Sequence, residues 1–548
     1  MTRLSASWAP RLALSACAAF ALAACQGKAQ RPPCPTGQVC LEYGNNAEPA
    51  TLDPQKSSLL DEFAIIGDLI MGLTTDGPDA EPVPGMATSW KVSDDGLVWT
   101  FRLRPAVWSD GAPVTAGDFV YAYRRILAPE TASTYAYLVY LLKNGEAVNQ
   151  GRAPPSALGA RALDPATLEL TLEHPAPYLP QMMKHQSFFP LPRHVVERWG
   201  DAWVQPAHFV GNGPYVLKSW RLGDRVTVVK NPRFWDAANV CIDRINFYPT
   251  PDVISAERRV RRGELDLNTR FQSNRIARLR EQMPAYVHTH VALATAYASF
   301  NTRDVPAFRD LRVRRALSMA IDREFMTAKL MRAGQLPAYA FVPPGMANYT
   351  SGPALAWAGL SYGARQAQAR RLLAAAGHGP GNPLKLEIKS AGTGDTLMLA
   401  EAIQADWKAI GVQASIVQNE GQIAFEAYRT RDFQVGLMTW YADFNDPVTF
   451  LDLLRSNTGA QNYGDYQNRA YDALLDAATR EPDAKARAAI LARAEQTLLG
   501  DEAVIPLYFV VNRNLVSPRV TGFVDNAENF HRARWMCLRP SRANRSAP

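Results

Sequence analysis

Residues 364–417 decide the fold class of the second half of this chain, because helix-like and strand-like runs alternate there. The runs ARQAQARRLLAAA (364–376) and TLMLAEAIQADWKAI (396–410) are rich in Ala and Leu and have a helical period. The runs LKLEI (384–388) and VQASIV (412–417) are strand-like. Alternating strands and helices are typical of an α/β lobe.

The first half of the chain is predicted to be α+β. Residues 40–43 form an extended segment, and residues 90–102 alternate in polarity around Asp95-Gly96, which is a strong hairpin-turn signal. Residues 215–217 and 225–229 are predicted to form a second strand pair.

The composition is that of a globular protein of about three domains or lobes. The 548 residues are 47% hydrophobic and 20% charged, which excludes collagen-like, disordered and multi-span membrane proteins. The net charge is +7, yet residues 1–24 carry two arginines and residues 531–548 carry five, with no acid in either segment. The body between them is neutral, so it lacks the positive electrostatic potential that would attract a nucleic-acid backbone.

The N-terminal residues are predicted to direct export. Arg3 and Arg11 precede and flank an apolar run, 12–22, that is too short to span a membrane. The run ends in Leu22-Ala23-Ala24-Cys25, which resembles the bacterial lipobox. We expect residues 1–24 to be a lipoprotein signal peptide, Cys25 to receive the lipid, and residues 25–40 to be a tether. The alternative is an ordinary secretory signal in which Cys25 has no role.

Four cysteines remain in the exported chain, and an oxidising compartment favours disulfides between them. Cys34, Cys40, Cys241 and Cys537 allow three pairings. The local choice is Cys34–Cys40, which leaves Cys241–Cys537. Their spacing fits neither a redox pair nor a zinc site, so no cofactor and no metal is predicted.

Sequence motifs give no positive case for an enzyme. The chain has no nucleophile-elbow, zincin, Walker-type or dinucleotide-binding glycine pattern. His288 and His290 share one strand face and could bind a metal, but without a third ligand nearby a solvated face is the better interpretation.

Eight segments together resemble the bacterial periplasmic oligopeptide-binding proteins, the substrate-binding components of peptide ABC importers (extracellular solute-binding proteins of family 5). They occur in the family's order over nearly all of the exported chain. The segments are Glu48 to Pro54, Trp108 to Ala116, Asp118 to Tyr121, Val210 to Tyr215, Asn231 to Trp235, Phe308 to Arg314, Trp440 to Pro447 and Ala503 to Tyr508.

The resemblance implies an α/β, periplasmic-binding-protein-like fold (class II, cluster C) with two main lobes, a hinge and an extra inserted lobe. Lobe I would comprise residues 41–60, 193–293 and 511–548, which suits a bridge between Cys241 and Cys537. Lobe II would be residues 61–192, inserted into lobe I, and lobe III would be residues 294–510. The ligand would lie between lobes I and III and be enclosed by hinge closure.

The resemblance also implies a binding site for the parts that all peptides share. A buried α-ammonium needs a carboxylate, and the family pattern assigns Asp443 to it. Extended backbone at Glu48, beside Pro49, and at Thr439-Trp440-Tyr441 would flank the ligand. Trp440 would also line a side-chain pocket. The competing interpretations are that Asp443 is a turn or helix cap and that Glu48 is simply solvated.

Three further residues match ligand-contacting positions of the family. Tyr135 would touch the ligand backbone, and Arg429 and His185 would meet the ligand carboxylate at different peptide lengths. Alternatively, Tyr135 and Trp440 are core aromatics, Arg429 pairs with a surface acid, and His185 is a satisfied interior residue.

We therefore expect a periplasmic, lipid-anchored monomer that captures short peptides and delivers them to an inner-membrane ABC permease and its ATPase subunits. We expect it to bind no nucleic acid and to catalyse no reaction. Alternative cargoes on the same fold are dipeptides, murein peptides, or a metal or haem complex. Alternatives of another class are an envelope peptidase and an adaptor lipoprotein.

Overall fold

The computed structural model describes residues 33–349, 352–391 and 394–539, so the predicted signal peptide and the lipidation residue Cys25 lie outside the described residues. The strands are β1 Cys40–Gly44, β2 Thr74–Asp76, β3 Pro82–Pro84, β4 Ala87–Val92, β5 Val98–Leu103, β6 Ala160–Asp164, β7 Thr167–Thr171, β8 Tyr215–Arg221, β9 Arg225–Lys230, β10 Arg244–Tyr248, β11 Leu267–Asn268, β12 Val287–Phe300, β13 Leu336–Pro337, β14 Lys385–Ala391, β15 Gln413–Asn419, β16 Val435–Tyr441, β17 Val504–Val516, β18 Val520–Thr521 and β19 Cys537–Leu538.

The longest α-helices of the described residues lie in the second half of the chain. They are α1 Leu60–Leu69, α2 Ala116–Leu127, α3 Gly145–Asn149, α4 Leu179–Met182, α5 Arg193–Trp199, α6 Val253–Arg261, α7 Ile276–Gln282, α8 Leu311–Ala320, α9 Arg323–Phe325, α10 Tyr362–Ala375, α11 Gly394–Ala409, α12 Gly421–Arg429, α13 Val448–Leu451, α14 Arg469–Arg480 and α15 Ala484–Gly500.

One large mixed sheet joins the two halves of the molecule. Its order in the described residues is β15-β14-β16-β12-β17-β11-β1-β10-β9-β8, with β13 added beside β17. β1 is buried along its whole length because parallel strands, β10 and β11, pair with both of its edges. This is the extended segment that the sequence predicted at residues 40–43.

Two long antiparallel strands, β12 and β17, carry this sheet from one half to the other. Residues 287–291 pair with 511–515, and residues 295–299 pair with 504–509, with an irregularity in the register between the two stretches. A bulge of this kind bends a strand and increases its local twist. The second half of the chain thus meets the first where the pairing register of these two continuous strands is interrupted.

The predicted α/β pattern of the second half is confirmed. β14 and β15 pair in parallel from Lys385↔Gln413 to Ala391↔Asn419, and α11 connects them. α10, Tyr362–Ala375, covers nearly all of the predicted helical run 364–376. It packs against α8 in a hydrophobic core that is separate from the core of the first half.

The predicted hairpin of the first half is also confirmed. β4 and β5 pair antiparallel, and Gly96 in the turn has φ of +72°, a conformation that glycine adopts without strain. These strands belong to a separate four-stranded sheet, β4-β5-β7-β6, which α2 covers. This unit lies within the predicted lobe II, residues 61–192, although the lobe boundaries themselves stay a prediction.

Both disulfides of the favoured pairing are formed. Cys34–Cys40 closes a local loop of sequence separation 6, whereas Cys241–Cys537 joins residues 296 positions apart. The second bridge fastens the C-terminal strand β19 to the segment that precedes β10. Among the described residues, no helix is both long enough and apolar enough to cross a membrane.

The two disulfides should contribute unequally to stability. Removing Cys241–Cys537 by a double Cys→Ser change should lower the free energy of unfolding by about 5 kcal/mol, because a long loop gains much entropy in the unfolded chain. The matched change at Cys34 and Cys40 should cost about 2 kcal/mol. Urea unfolding of both variants measures the difference, and an equal loss would contradict the loop-entropy account.

Candidate functional site

A cavity of about 390 Å³ lies where the inserted unit of the first half faces the second half of the chain. Its walls on one side come from residues 137–182 and on the other from residues 440–461. Tyr137, on the 3-10 turn Ala136–Leu141, and Asp443, just after β16, both line the cavity and meet at its wall. A ligand in this cavity would therefore touch both halves of the molecule.

Asp443 is a half-buried carboxylate that forms no ion pair with a cation of the described residues. Its Oδ2 accepts a hydrogen bond of 2.8 Å from the Tyr137 hydroxyl, and its backbone N–H donates to Thr449 Oγ1 at 3.2 Å. Within the described part of the chain no lysine, arginine or histidine forms an ion pair with it. Burial raises the pKa of Asp443 to about 6, and the hydrogen bond from Tyr137 only partly opposes this. The carboxylate of Asp443 therefore has no positively charged partner among the described residues.

The competing interpretation of Asp443 as a cap is not supported, because Asp446 fills that role. Asp446 Oδ1 accepts from the Val448 backbone N–H at 3.0 Å, at the start of α13. Asp446 also forms a buried bidentate ion pair with Arg487, at 2.7 and 2.9 Å. This pair fixes the segment after β16 and leaves the carboxylate of Asp443 free to face the cavity.

β16 ends beside this cavity with one edge open. It pairs with β12 along its whole length, from Val435↔Phe300 to Tyr441↔Ala294, but with β14 only at Val435 and Gly436. In the described structure, Met438–Tyr441 therefore have a strand neighbour on one side only. An extended chain could add to this edge by main-chain hydrogen bonds.

Trp440 separates two cavities. It lines the cavity of Asp443 and also one of about 290 Å³, whose walls include six aromatic side chains. The aromatic residues that line the second cavity with Trp440 are Tyr297, Phe425, Tyr428, Tyr463 and Tyr508. The indole Nε1 of Trp440 is shielded from water and has no hydrogen-bond partner among the described residues. Trp440 is thus a half-buried wall residue rather than a core residue.

Tyr441 faces a third cavity, of about 350 Å³, on the side of the first half. Asn46, Asp61, Arg270 and Arg513 also line it. The guanidinium groups of Arg270 and Arg513 thus line the same cavity as Tyr441, the last residue of β16.

Glu48 is half-buried rather than simply solvated, and its carboxylate contacts residues of the first half of the chain. Its Oε1 accepts from Trp220 Nε1 at 2.8 Å and its Oε2 from the Gly223 backbone N–H at 3.2 Å. Both partners belong to the β8–β9 hairpin and its turn. The side chain thus fastens its own segment, so a contact with a ligand would involve the backbone of Glu48.

The backbone around Glu48 is held in an extended course by a second glutamate. Glu62, in the first turn of α1, accepts hydrogen bonds from the backbone N–H groups of Ala50, Thr51, Ser58 and Leu59 at 2.8–3.2 Å. These bonds replace the helical or sheet partners that the prolines of this segment exclude.

His185 is an interior residue of the first half. Its ring lies 4.9 Å from that of Tyr135 and 5.4 Å from that of Phe63, and its Nδ1 accepts from the Ser187 backbone N–H at 3.3 Å. Burial lowers the pKa of His185 to about 3, so the ring is neutral at physiological pH. It can therefore act as a neutral donor but not as a cation.

Tyr135 connects His185 to the cavity. Its ring stacks on Tyr137, with centroids 6.1 Å apart, and its side chain is half-buried. Burial and the nearby charge of Asp443 raise the pKa of Tyr135. Its hydroxyl thus remains protonated beside the carboxylate.

Arg429 lies at the end of α12 with a half-exposed side chain, and its Nη1 is 3.3 Å from Glu426 Oε2. This is the surface pairing that the sequence left as an alternative. The prediction that Arg429 meets a ligand carboxylate has no supporting contact here and stays a prediction.

Sequence reasoning missed Tyr137, Arg270 and Arg513. Tyr137 follows Tyr135 at a spacing of two, but only the turn geometry aims its hydroxyl at Asp443. Arg270 and Arg513 lie 243 positions apart in the numbering and no motif connects them. Within the described residues, no group of His, Cys, Asp or Glu side chains is arranged to hold a metal ion.

Asp443→Asn should stabilise the unliganded protein at pH 7 and above. Folding raises the pKa of Asp443 from 3.8 to about 6, so the ionised group opposes folding above pH 6. Below about pH 4 the group is protonated in both states and the effect vanishes. Since one pKa unit corresponds to about 1.4 kcal/mol, this shift of roughly two units should give a gain of about 3 kcal/mol at pH 8.

Thermal unfolding of both proteins from pH 4 to pH 8 measures this gain. A gain that does not change with pH would mean that relief of the buried charge is not its cause.

Comparison with known proteins identifies the family of this chain. The family model "Bacterial extracellular solute-binding proteins, family 5 Middle" matches residues 81–462. The periplasmic murein peptide-binding protein MppA of Escherichia coli K12 is 37% identical over 496 residues, 90% of this chain and 91% of that protein. The periplasmic oligopeptide-binding protein OppA of the same organism is 36% identical over 491 residues, 88% and 89% of the two chains.

A solved structure shows the same fold. The E. coli murein tripeptide binding protein MppA superposes with a TM-score of 0.82 at 36% identity, over 92% of this chain and 99% of that one. The predicted periplasmic-binding-protein-like α/β fold is thereby confirmed. The prediction that the protein is not an enzyme is confirmed as well, because proteins of this type bind solutes without transforming them. The chain belongs to the bacterial extracellular solute-binding proteins of family 5.

Proposed function

We propose that this protein is the lipid-anchored, periplasmic substrate-binding component of a peptide ABC importer. It captures short oligopeptides in the cleft between its lobes and delivers them to an inner-membrane permease and its ATPase subunits. Family membership and the peptide-binding relatives MppA and OppA support the class of cargo. The observation that carries the proposal is the half-buried carboxylate of Asp443, which lines the cavity and has no cationic partner among the described residues.

The α-ammonium of the peptide supplies that missing charge. When it enters the cavity, Asp443 gives up its proton or remains ionised and accepts hydrogen bonds from the ammonium. Tyr137 keeps donating to Oδ2, so the carboxylate stays oriented while the other oxygen faces the ligand. Water is excluded around the pair, which makes the pairing strong and its loss costly.

The peptide backbone pairs with the open edge of β16. Main-chain hydrogen bonds to Met438–Tyr441 do not depend on the peptide's side chains, so they suit varied cargo. Thr439, Trp440 and Tyr441 line the cavities on this edge, and the extended backbone at Glu48 approaches from the other side of the cleft. The aromatic cavity behind Trp440 is suited to an apolar side chain.

Closure of the lobes encloses the peptide. We propose lobe I as residues 41–60, 193–293 and 511–548, lobe II as 61–192 and lobe III as 294–510. β12 and β17, which connect lobes I and III through a bend, provide the hinge. The Tyr137–Asp443 hydrogen bond would then join lobes II and III in the closed form.

Tyr135 and His185 would serve this site as neutral donors. His185 Nδ1 is occupied as an acceptor, which leaves its proton on Nε2. Cys25, as the lipidated first residue, would hold the protein at the membrane. Residues 25–40 would be the tether between the lipid and the folded part of the protein.

Murein peptides are a second candidate cargo. The specific support is the 37% identity to a murein peptide-binding protein over nine-tenths of the chain. A direct comparison of free murein tripeptide with a tripeptide of ordinary amino acids distinguishes this cargo from a general one.

Asp443→Asn should abolish tight peptide binding, because it leaves a buried ammonium without its counter-charge. The expected loss is roughly 3–5 kcal/mol, or more than a hundredfold in Kd. Isothermal titration with tripeptides measures it, and Asp432→Asn, at an acid whose side chain is 82% exposed, serves as the matched control.

N-acetylated peptides provide the chemical counterpart of that variant. Acetylation of the peptide should lower its affinity for the wild-type protein by as much as the substitution does. It should lower the affinity for the Asp443→Asn variant much less. Undiminished binding of acetylated peptides by the wild type would reject the ammonium clamp and favour another solute.

Peptide affinity should depend on pH in a defined way. Because the pKa of Asp443 is about 6 before the ligand binds, affinity should fall about tenfold per pH unit below pH 6. It should be constant from pH 6 to about pH 8, where the α-amino group begins to lose its proton. Fluorescence titrations over pH 4.5–9 measure the profile, and a flat acid limb would contradict the role of Asp443.

A further inference from the structure

We infer that a groove beside the separate four-stranded sheet docks an extended, acidic segment of a partner protein, away from the cleft proposed for peptides. The groove has a volume of about 770 Å³ and lies between α2 and β6. None of its lining residues lines the three cavities described above. The inference does not rest on the proposed function, because it concerns a different surface of the molecule.

One wall of the groove is the edge strand β6. This strand pairs with β7 alone in the described structure, and residues 161–164 are exposed. Within the described part of the chain, no backbone group of Arg161, Ala162 or Leu163 forms a hydrogen bond beyond the β6–β7 pair. Alternate residues of an edge strand direct their N–H and C=O groups away from the sheet, so this edge offers main-chain partners to an added strand.

The opposite wall of the groove is one face of the helix α2. Gly117, Tyr121 and Arg124 line it at helical spacing. Ala160 and Ala162 line the strand side. Because three of these five residues are glycine or alanine, space remains between strand and helix for the side chains of an extended segment. The five residues of β6 span about 17 Å, which accommodates a segment of about five residues.

The lining of the groove is positively charged, because it includes three arginines and no acid. The guanidinium of Arg124 forms no ion pair with the described residues, and its Nε is shielded from water without a hydrogen-bond partner there. Arg193 Nε lies 2.7 Å from Glu197 Oε1, and its side chain is 62% exposed. Arg161 Nη2 lies 3.3 Å from Glu169 Oε1, and its side chain is 69% exposed. Exposed ion pairs of this kind contribute little, so another carboxylate can replace either acid.

Two acids of the flanking segments are engaged in local turns. Asp118 Oδ2 accepts a hydrogen bond of 2.7 Å from the Thr115 backbone N–H at the start of α2. Asp164 Oδ1 accepts one of 2.7 Å from the Ala166 backbone N–H after β6. Neither residue lines the groove. The positive charge of Arg124 therefore stays available to a ligand.

The charge of the groove disfavours this chain itself as the occupant. Residues 26–32 and 540–548 each carry two basic residues and no acid. A second copy that paired through the same edge would bring the same three arginines to the interface. An acidic segment of a different protein satisfies both features of the groove, since its carboxylates meet the arginines and its backbone extends the sheet.

The probe for this groove is a six-residue peptide that alternates glutamate and valine and is acetylated and amidated, so that it has no charged ends. A shift of one residue would turn its glutamates to the other face, so the parity of its pairing is defined. Calorimetry measures its binding in the presence of excess free tripeptide, and again with Asp443→Asn, so that the proposed peptide cleft does not contribute.

The variants are Arg124→Gln and Arg161→Gln. The matched control is Arg221→Gln, because Arg221 is also an exposed strand arginine beside an acid, 3.9 Å from Asp224, but lies at the end of β8. Thermal unfolding checks that each variant is folded. Arg161→Gln alters an exposed side chain and is expected to fold even if Arg124→Gln does not.

The acidic peptide should bind the wild type and the Arg221 control alike and should bind both groove variants about tenfold more weakly. A peptide with glutamine in place of glutamate should lose at least as much affinity. N-methylation of the glutamates and N-methylation of the valines should have unequal effects, because only every second residue of an added strand faces β6.

The inference is overturned if the acidic peptide does not bind at concentrations up to about 1 mM. Equal binding of the glutamine peptide, or equal effects of the two N-methylation patterns, would overturn it as well. A dimer in sedimentation that Arg124→Gln dissociates would assign the groove to a second copy. Binding of phosphatidylglycerol vesicles without binding of the peptide would assign it to a membrane surface. Either result contradicts the inference, and neither bears on Asp443 or the proposed function.

Discussion

The half-buried carboxylate of Asp443, which has no cationic partner among the described residues, is the constraint on which the proposed site depends. Asp443 is held by one hydroxyl group, from Tyr137, and by the fixed loop that Asp446 and Arg487 maintain. Such an arrangement is unfavourable for the folded protein, because burial favours the protonated acid. Under the proposed function, a cationic ligand would offset this cost, so the site would exchange stability of the empty protein for affinity.

Under the proposed function, the surrounding structure would let one protein hold many peptide sequences. The open edge of β16 would offer hydrogen bonds to main-chain groups that every peptide has, and the cavities that Trp440 lines would accept varied side chains. Discrimination by such a site would rest on the charged end of the peptide more than on its side chains.

The architecture explains how these parts meet. β12 and β17 cross from one half of the large sheet to the other, and each half has its own hydrophobic core. In the proposed closure, bending of these strands would change the distance between the cavity walls while both cores stay packed. Contacts such as Arg513–Asp395 and the stacking of Tyr178 on Phe444, with ring centroids 5.3 Å apart, bridge segments that are distant in sequence. These contacts would couple the proposed closure to the residues that line the cleft.

The sequence by itself determined the local structure and the class of protein. Turn chemistry at Asp95-Gly96 and the alternation within 364–417 predicted elements that the structure contains, because these signals act between near neighbours. The family pattern singled out Asp443. Only the tertiary structure decided that Asp443 faces Tyr137 without a cation, that His185 is neutral, and that Arg270 and Arg513 share a cavity. Burial and charge pairing depend on residues hundreds of positions apart, and no local pattern encodes them.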